Sequence, residues 1–247
     1  MIAAAEIIGI DAWLMVLAVL IVFVGASTQS AIGVGLGLIA APTLSLIDPD
    51  FIPGAIVIVN LPLTLGIAWR ERRHIDWGIL RAVPTRFVGT VIGAWLVATT
   101  GDQVTSIVVA VSVLFAVLVT AKRIHVAPTP RNQIVAGGAS GLAGTIAGIG
   151  GPPMAITYQH ADPRTLRASL ATFNSIALVF FSIPSLTIAG VIGRREVNLA
   201  LVLIPAVFAG LWIGKHLIRR LPPERIRVAV LAVCAGSAIV LLVSQLT

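Results

Sequence analysis

Apolar residues run through this chain in blocks of about twenty, separated by short polar stretches from one end to the other. A block of that length matches the thickness of a bilayer's hydrocarbon core, so the pattern predicts helices over residues 13–32, 51–69, 77–99, 104–121, 133–147, 166–191, 197–217 and 226–246. Two shorter pieces fall at 36–47 and 153–159. Each is cut from the block before it by a glycine tract, Gly33-Val34-Gly35-Leu36-Gly37 in one case and Gly148-Ile149-Gly150-Gly151-Pro152-Pro153 in the other. Backbone groups freed inside hydrocarbon have no water to bond, so such breaks survive only when buried in protein or lining a cavity. The expected fold is all-α: a polytopic helical membrane protein forming one domain over 1–247, each half holding about four full spans and one short broken or re-entrant helix.

The halves resemble one another. Asp48-Pro49 is followed twelve residues later by Asn60, and Asp162-Pro163 twelve later by Asn174. Pro84, Phe87, Gly89, Ile92 and Gly93 match Pro205, Phe208, Gly210, Ile213 and Gly214 in order and spacing, and the glycine breaks align as well. Three ordered matches indicate an internal duplication, with repeats over 12–122 and 131–247.

Charge then bears on topology. The chain carries a formal net charge of +7, with 57% hydrophobic and only 11% charged residues. Mean hydropathy is +1.02. In a soluble protein that charge would suggest nucleic acid, but here the basic residues sit in short loops between spans, so no nucleic-acid partner is expected. The N-terminus carries Glu6 and Asp11 and no Lys or Arg before the first block, so it lacks the basic region of a cleavable signal. Suppose each short piece returns the chain to the face it came from and the N-terminus lies outside. Then Arg70, Arg72, Arg73, Lys122, Arg123, Arg131, Arg164, Arg167, Lys215, Arg219, Arg220, Arg225 and Arg227 lie inside, thirteen of the seventeen basic residues. Arg194 and Arg195 fall outside with Asp48, Asp50 and Asp102, while Arg81 and Arg86 lie within a span. If the short pieces do not reverse, the split is seven inside to eight outside, which is no bias. Five crossings per half make the repeats inverted, with the N-terminus outside.

Candidate chemistry gathers at the breaks. Gln29, Gly33, Gly35 and Gly37 end one helix; Thr145, Gly148, Gly150 and Gly151 end its counterpart. Two such tips present free N–H groups and the positive ends of short helices, which suits an anion. The glycines could instead serve close helix packing, a reading that fits Gly89/Gly93 and Gly210/Gly214 better because a four-residue spacing stripes one face. Those faces would also permit a homodimer. Asn60 and Asn174 each fall near mid-membrane, where an amide needs a partner across helices or in a ligand. Arg86 lies about ten residues into a span, and its repeat partner is Val207, so the shared scaffold does not demand it. It either meets an anion or reaches the inner headgroups.

All ten acidic residues fall in loops or at span ends, leaving no buried carboxylate to relay protons or hold sodium. Asp48 and Asp162 read as helix caps ahead of proline. Cys234 is the one cysteine, so there is no disulfide framework and no thiolate metal site. No cofactor, metal or catalytic residue is expected. Gly138-Ala139-Ser140-Gly141 has the shape of the rhomboid serine-protease motif, but His74, His125, His160 and His216 all lie in loops or at span ends, away from that depth.

The Gly33–Gly37 break, with Pro42 and then Asn60 downstream, resembles the first repeat of the TauE/SafE sulfite exporter permeases. The tract from Ala147 to Pro153, followed by Tyr158 and Asp162-Pro163, is similar to their second repeat. The likeness covers nearly the whole chain, with one departure: many members carry Thr-Asn where this chain has Val59-Asn60. It implies export of sulfite or a small organosulfonate such as sulfoacetate across the bacterial inner membrane. The residue-level expectation is a small-anion exporter working by alternating access in the lipid bilayer, with an anion channel as the rival and an intramembrane protease or a non-transporting scaffold as the remoter ones.

Overall fold

The computed structural model describes residues 6–121, 126–127, 129–220 and 223–246. After a minimal antiparallel hairpin of Glu6–Ile7 with Ile10–Asp11, the described chain is helical. The first half comprises α1 (Ala12–Ile32), α2 (Leu36–Ser45), α3 (Gly54–Arg70), α4 (Val83–Thr99) and α5 (Asp102–Ala121). The second comprises α6 (Pro130–Ile146), α7 (Gly151–Thr157), α8 (Pro163–Ala177), α9 (Ile183–Ile188), α10 (Arg194–Arg220) and α11 (Pro223–Leu246). Five stretches among the described residues are long and apolar enough to cross a membrane: Ala12–Ile32, Pro49–Arg70, Trp77–Thr99, Pro163–Ile188 and Arg194–His216. This is an all-α polytopic membrane protein. Of the charge count, Lys122 and Arg123 and the side chains of Arg219, Arg220, Arg225 and Arg227 lie outside the described residues, as does His125.

Local chemistry sets the element ends. The Asp48 carboxylate accepts the Asp50 N–H at 2.9 Å and opens a 3-10 turn over Pro49–Phe51. Asp162 accepts the Arg164 and Thr165 N–H groups ahead of α8, with Pro163 losing no needed donor. Between α8 and α9 the ladder widens into one π turn, Leu178–Ser182. Pro184 accounts for it: its ring cannot pass the carbonyl of Phe180 in a regular α-helix and it has no N–H to give.

Ion pairs and capping contacts sort the loops into two ends. Arg195 at the start of α10 pairs with Asp48 at 2.5 Å and also with Asp50. At the other end Glu71 binds Arg167, and the Tyr158 hydroxyl donates to Asp76. Both short helices therefore turn back. The last turn of α1 meets Arg70, whereas α2 exits at Asp48 at the opposite end of α3. Likewise α7 ends at Tyr158, whose hydroxyl accepts from Gln133 in the first turn of α6. The two re-entrant pairs point in opposite directions, as the charge count anticipated for the short pieces.

Packing follows the same pairing. α1 packs chiefly on α10 and α6 on α4, α5 lies along α11, and α3 crosses α8. Glycine makes the first two contacts possible. A Cβ at Gly89 would overlap the Gly138 carbonyl, and one at Gly214 would stand 2.5 Å from the Ser27 carbonyl oxygen. Gly89/Gly93 and Gly210/Gly214 are thus consumed inside the chain and offer no face to a second copy, which removes the reason given for a homodimer. Outward, the surface is apolar. All five tryptophans are 61–73% exposed, a surface stable only in contact with lipid and its interfaces.

The α4–α6 contact supplies a test. Gly89→Ala forces backbone apart and is expected to cost about 1–3 kcal/mol. Gly138→Ala meets nothing closer than 3.8 Å and should be tolerated. Thermal unfolding of both variants in one detergent checks this, and equal midpoints would contradict the packing described.

Candidate functional site

Each re-entrant pair ends in a tip, and the two tips touch. α1 terminates because Gly33 adopts φ +93°, a left-handed conformation that glycine takes without strain, and its N–H closes on the Gln29 carbonyl at 2.8 Å. Gly148 does the same for the second tip at φ +68°. A Cβ at Gly37 would overlap the Gly148 carbonyl, so the tips meet backbone to backbone. Between them lies a small cavity of ≈ 10 Å³, room for about one water. Gln29, Gly33, Gly35, Gly37 and Asn60 line it from one half, and Gly148, Gly151 and Asn174 from the other. Val34, Leu38, Ile149 and Pro152, not singled out by sequence, complete the wall. None of the lining residues is acidic.

The polarity of this wall is fixed by a chain of hydrogen bonds. The Leu36 N–H at the start of α2 donates to Gln29 Oε1 at 3.0 Å. That bond leaves Gln29 only its amino group, and Nε2 donates to Asn60 Oδ1 at 2.8 Å. With Oδ1 turned toward Gln29, Asn60 is oriented to offer its Nδ2 donor to the cavity. A backbone N–H, which cannot flip, therefore orients two side-chain amides. The Asn174 side chain, 6% exposed, has no hydrogen-bond partner among the described residues. The Gly37 and Leu38 N–H groups at the positive end of α2 have no partner among the described residues. In the second tip Pro152 and Pro153 have no N–H, and those of Gly148 and Gly151 are likewise without a partner among those residues.

Arg86 stands behind this cavity and does not line it. The guanidinium is 2% exposed and reaches from α4 into the back of the second tip. Nη1 donates to the Ser140 carbonyl at 2.5 Å, to the Ser140 hydroxyl and, at 3.5 Å, to the Gly150 carbonyl. The ring of Phe173, beside Asn174, lies 5.3 Å from its Cζ. Gly144 and Gly150 make the room, since a Cβ at either would come within 2.7 Å of a guanidinium nitrogen. Gly150 thus serves through its carbonyl and its lack of a side chain, outside the cavity wall. Arg86 has no carboxylate partner among the described residues, and its Nε is buried and unbonded. The Ser140 hydroxyl donates to the Gly150 carbonyl and accepts from Arg86, so it is taken up in holding the tip. Thr145 also lies off the cavity, its hydroxyl 3.3 Å from that of Ser182 in the π turn.

The first tip is braced differently. Arg70 donates to the Ser30 carbonyl at 2.9 Å and to its hydroxyl at 2.8 Å. Arg167 reaches the Ala31 carbonyl at 3.3 Å, and Glu71 holds both arginines. Two cations thus cover the negative end of α1. Sequence reading took Arg70 and Arg167 as orientation signals only. The available signal was the position of Arg167, four residues into α8 and facing the Gly33 break, where it is 8% exposed.

The relay predicts a specific reversal. Gln29→Glu supplies only acceptors, so Asn60 must turn its amino group to the new carboxylate and its oxygen to the cavity. Affinity for an anion should fall about tenfold or more, the cost of a lost charged hydrogen bond, with the thermal midpoint little changed. Titration of purified protein with sulfite or sulfoacetate measures it, and unchanged affinity would remove the relay from the site.

No curated protein and no solved structure matches the chain. The family model described as sulfite exporter TauE/SafE matches residues 17–241, nearly all of it. The re-entrant tips, their donor-lined cavity and the lipid-facing surface lie within those limits, and the chain belongs to the TauE/SafE family of membrane transporters.

Proposed function

We propose that this chain exports a small oxyanion, sulfite or an organosulfonate such as sulfoacetate, across the bacterial inner membrane by alternating access. The observation that carries the reading is the cavity between the tips, walled by donors and backbone with no acid. Asn60 Nδ2, the Asn174 amide and the Gly37 and Leu38 N–H groups hold the oxygens. Arg86 acts from behind the second tip as a fixed positive charge without a protein counter-ion, so a bound anion relieves the cost of burying it.

In this reading residues 12–122 and 131–247 are two inverted repeats, supported by the opposed directions of the re-entrant pairs and the reciprocal packing of α1 on α10 and α6 on α4. Rocking of one repeat against the other exposes the cavity to each face in turn. The N-terminus lies outside, and the inside-negative potential drives an anion outward with about 2.3 kcal/mol per charge per 100 mV.

Purified protein in liposomes loaded with sulfite or sulfoacetate should show saturable efflux and counter-transport, which a channel would not show. Arg86→Met is expected to reduce that efflux at least tenfold. Absence of flux for either anion and for comparable oxyanions would overturn the proposal. Topology is tested separately: in a Cys234→Ala background, Arg72→Cys and Arg194→Cys, both at exposed positions, should label from opposite faces. Labelling from one face would end the inverted arrangement.

A further inference from the structure

A second and much larger opening adjoins the tips. A groove of ≈ 450 Å³ runs between α5, α6 and α7. Phe115 and Ala116 of α5, Ala139, Ala143 and Ile146 of α6 and Ile156 of α7 give it an apolar wall. Its far end is marked by Val126, Arg131 and Asn132, where α6 begins, the end that the charge count puts inside. Its near end shares a wall with the candidate anion cavity, formed by Ile149 and Pro152. The corresponding space in the other half, between α11 and α2, is filled by direct packing, with Cys234, Ala238 and Leu241 fully buried. The groove is thus one-sided and lies directly behind one wall of the candidate site.

We propose that this groove holds the organic part of the cargo, so that the preferred substrate is an oxyanion bearing an unbranched apolar tail, such as an alkanesulfonate, rather than the bare oxyanion. The inference rests on the tips being the anion site. A strongly hydrated sulfite gains nothing from walls of Phe, Ile and Ala and loses water by entering among them. An alkyl tail gains by the same surroundings, about 0.8 kcal/mol for each methylene buried, which is about fourfold in affinity. The head would sit between Asn60 and Asn174, and the tail would pass Ile149 and Pro152 and lie along Ile146, Ala143 and Ala139, back toward Arg131. Entry from the Arg131 end suits a cargo loaded from inside. The competing occupant is a lipid chain, since Phe115 and Val135 on the groove's rim are 65% and 67% exposed.

The experiment is a thermal-shift titration of the full chain in nanodiscs with sulfite and with unbranched alkanesulfonates of one to six carbons. Apparent affinity should rise about fourfold per methylene over the first several carbons. Ala143→Phe should flatten the series from its first members. Ala139→Phe, one turn further along and at an exposed position that tolerates bulk, should flatten it only for longer tails. Both variants should keep the wild-type response to sulfite, which also serves as the folding control, and Ala139→Phe carries the test if Ala143→Phe does not fold. A flat series in the wild type overturns the inference while leaving the anion site intact. So does a slope that neither variant alters, the result expected when the tail partitions into lipid and the groove is a lipid's. Failure of sulfite and every sulfonate to stabilise the protein would instead remove the anion site itself, and the tail site with it.

Discussion

Two helices stop inside this protein, and the backbone groups they free must be satisfied there, out of reach of water. Everything near the tips answers that constraint. The negative end of α1 is covered by Arg70 and Arg167, themselves held by Glu71. The positive end of α2 is partly covered by Gln29, which passes the polarity on to Asn60. At the second tip prolines remove donors, and Arg86 with Ser140 takes up the Gly150 carbonyl. What remains unpaired is a small set of donors around one cavity. The accounting that keeps the breaks stable thereby also leaves a wall selective for acceptors.

The two halves share their turns but not their bracing. Gln29 aligns with Gly144 in the second half, and the space that a side chain at 144 would claim is filled by the Arg86 guanidinium. Arg86 aligns with Val207, a buried residue. Both halves carry the same glycine turns and the same mid-helix asparagines, and each satisfies its exposed backbone by a separate route. The asymmetry places a buried positive charge behind one tip only.

Much of the fold was legible because its signals are local. Runs of about twenty apolar residues, glycine tracts, and Asp-Pro caps act over a few residues each. The helix over 166–191 reads as continuous, whereas Pro184 puts a π turn within it, a small adjustment that hydropathy cannot register. Among the site residues, glycines and asparagines were legible because they are anomalous in hydrocarbon. Arg86 was equally anomalous, yet sequence could say only that it needed a partner. Its partner is the carbonyl side of a tip 54 to 64 residues away, which no spacing rule encodes.

By itself the sequence determined the membrane class, the two breaks, the turning back of the short helices and the placing of the acids at or between the ends of the apolar blocks, since each follows from hydropathy, backbone freedom or counted charge. The tertiary structure alone decided which breaks face each other, that Gly89/Gly93 and Gly210/Gly214 are spent on α6 and α1, and that Arg70 and Arg167 cap α1 as well as marking a face. It alone set the apolar groove of α5, α6 and α7 beside the cavity. Those outcomes depend on which helices lie side by side, and contact between distant segments is set by packing of whole faces rather than by any local pattern.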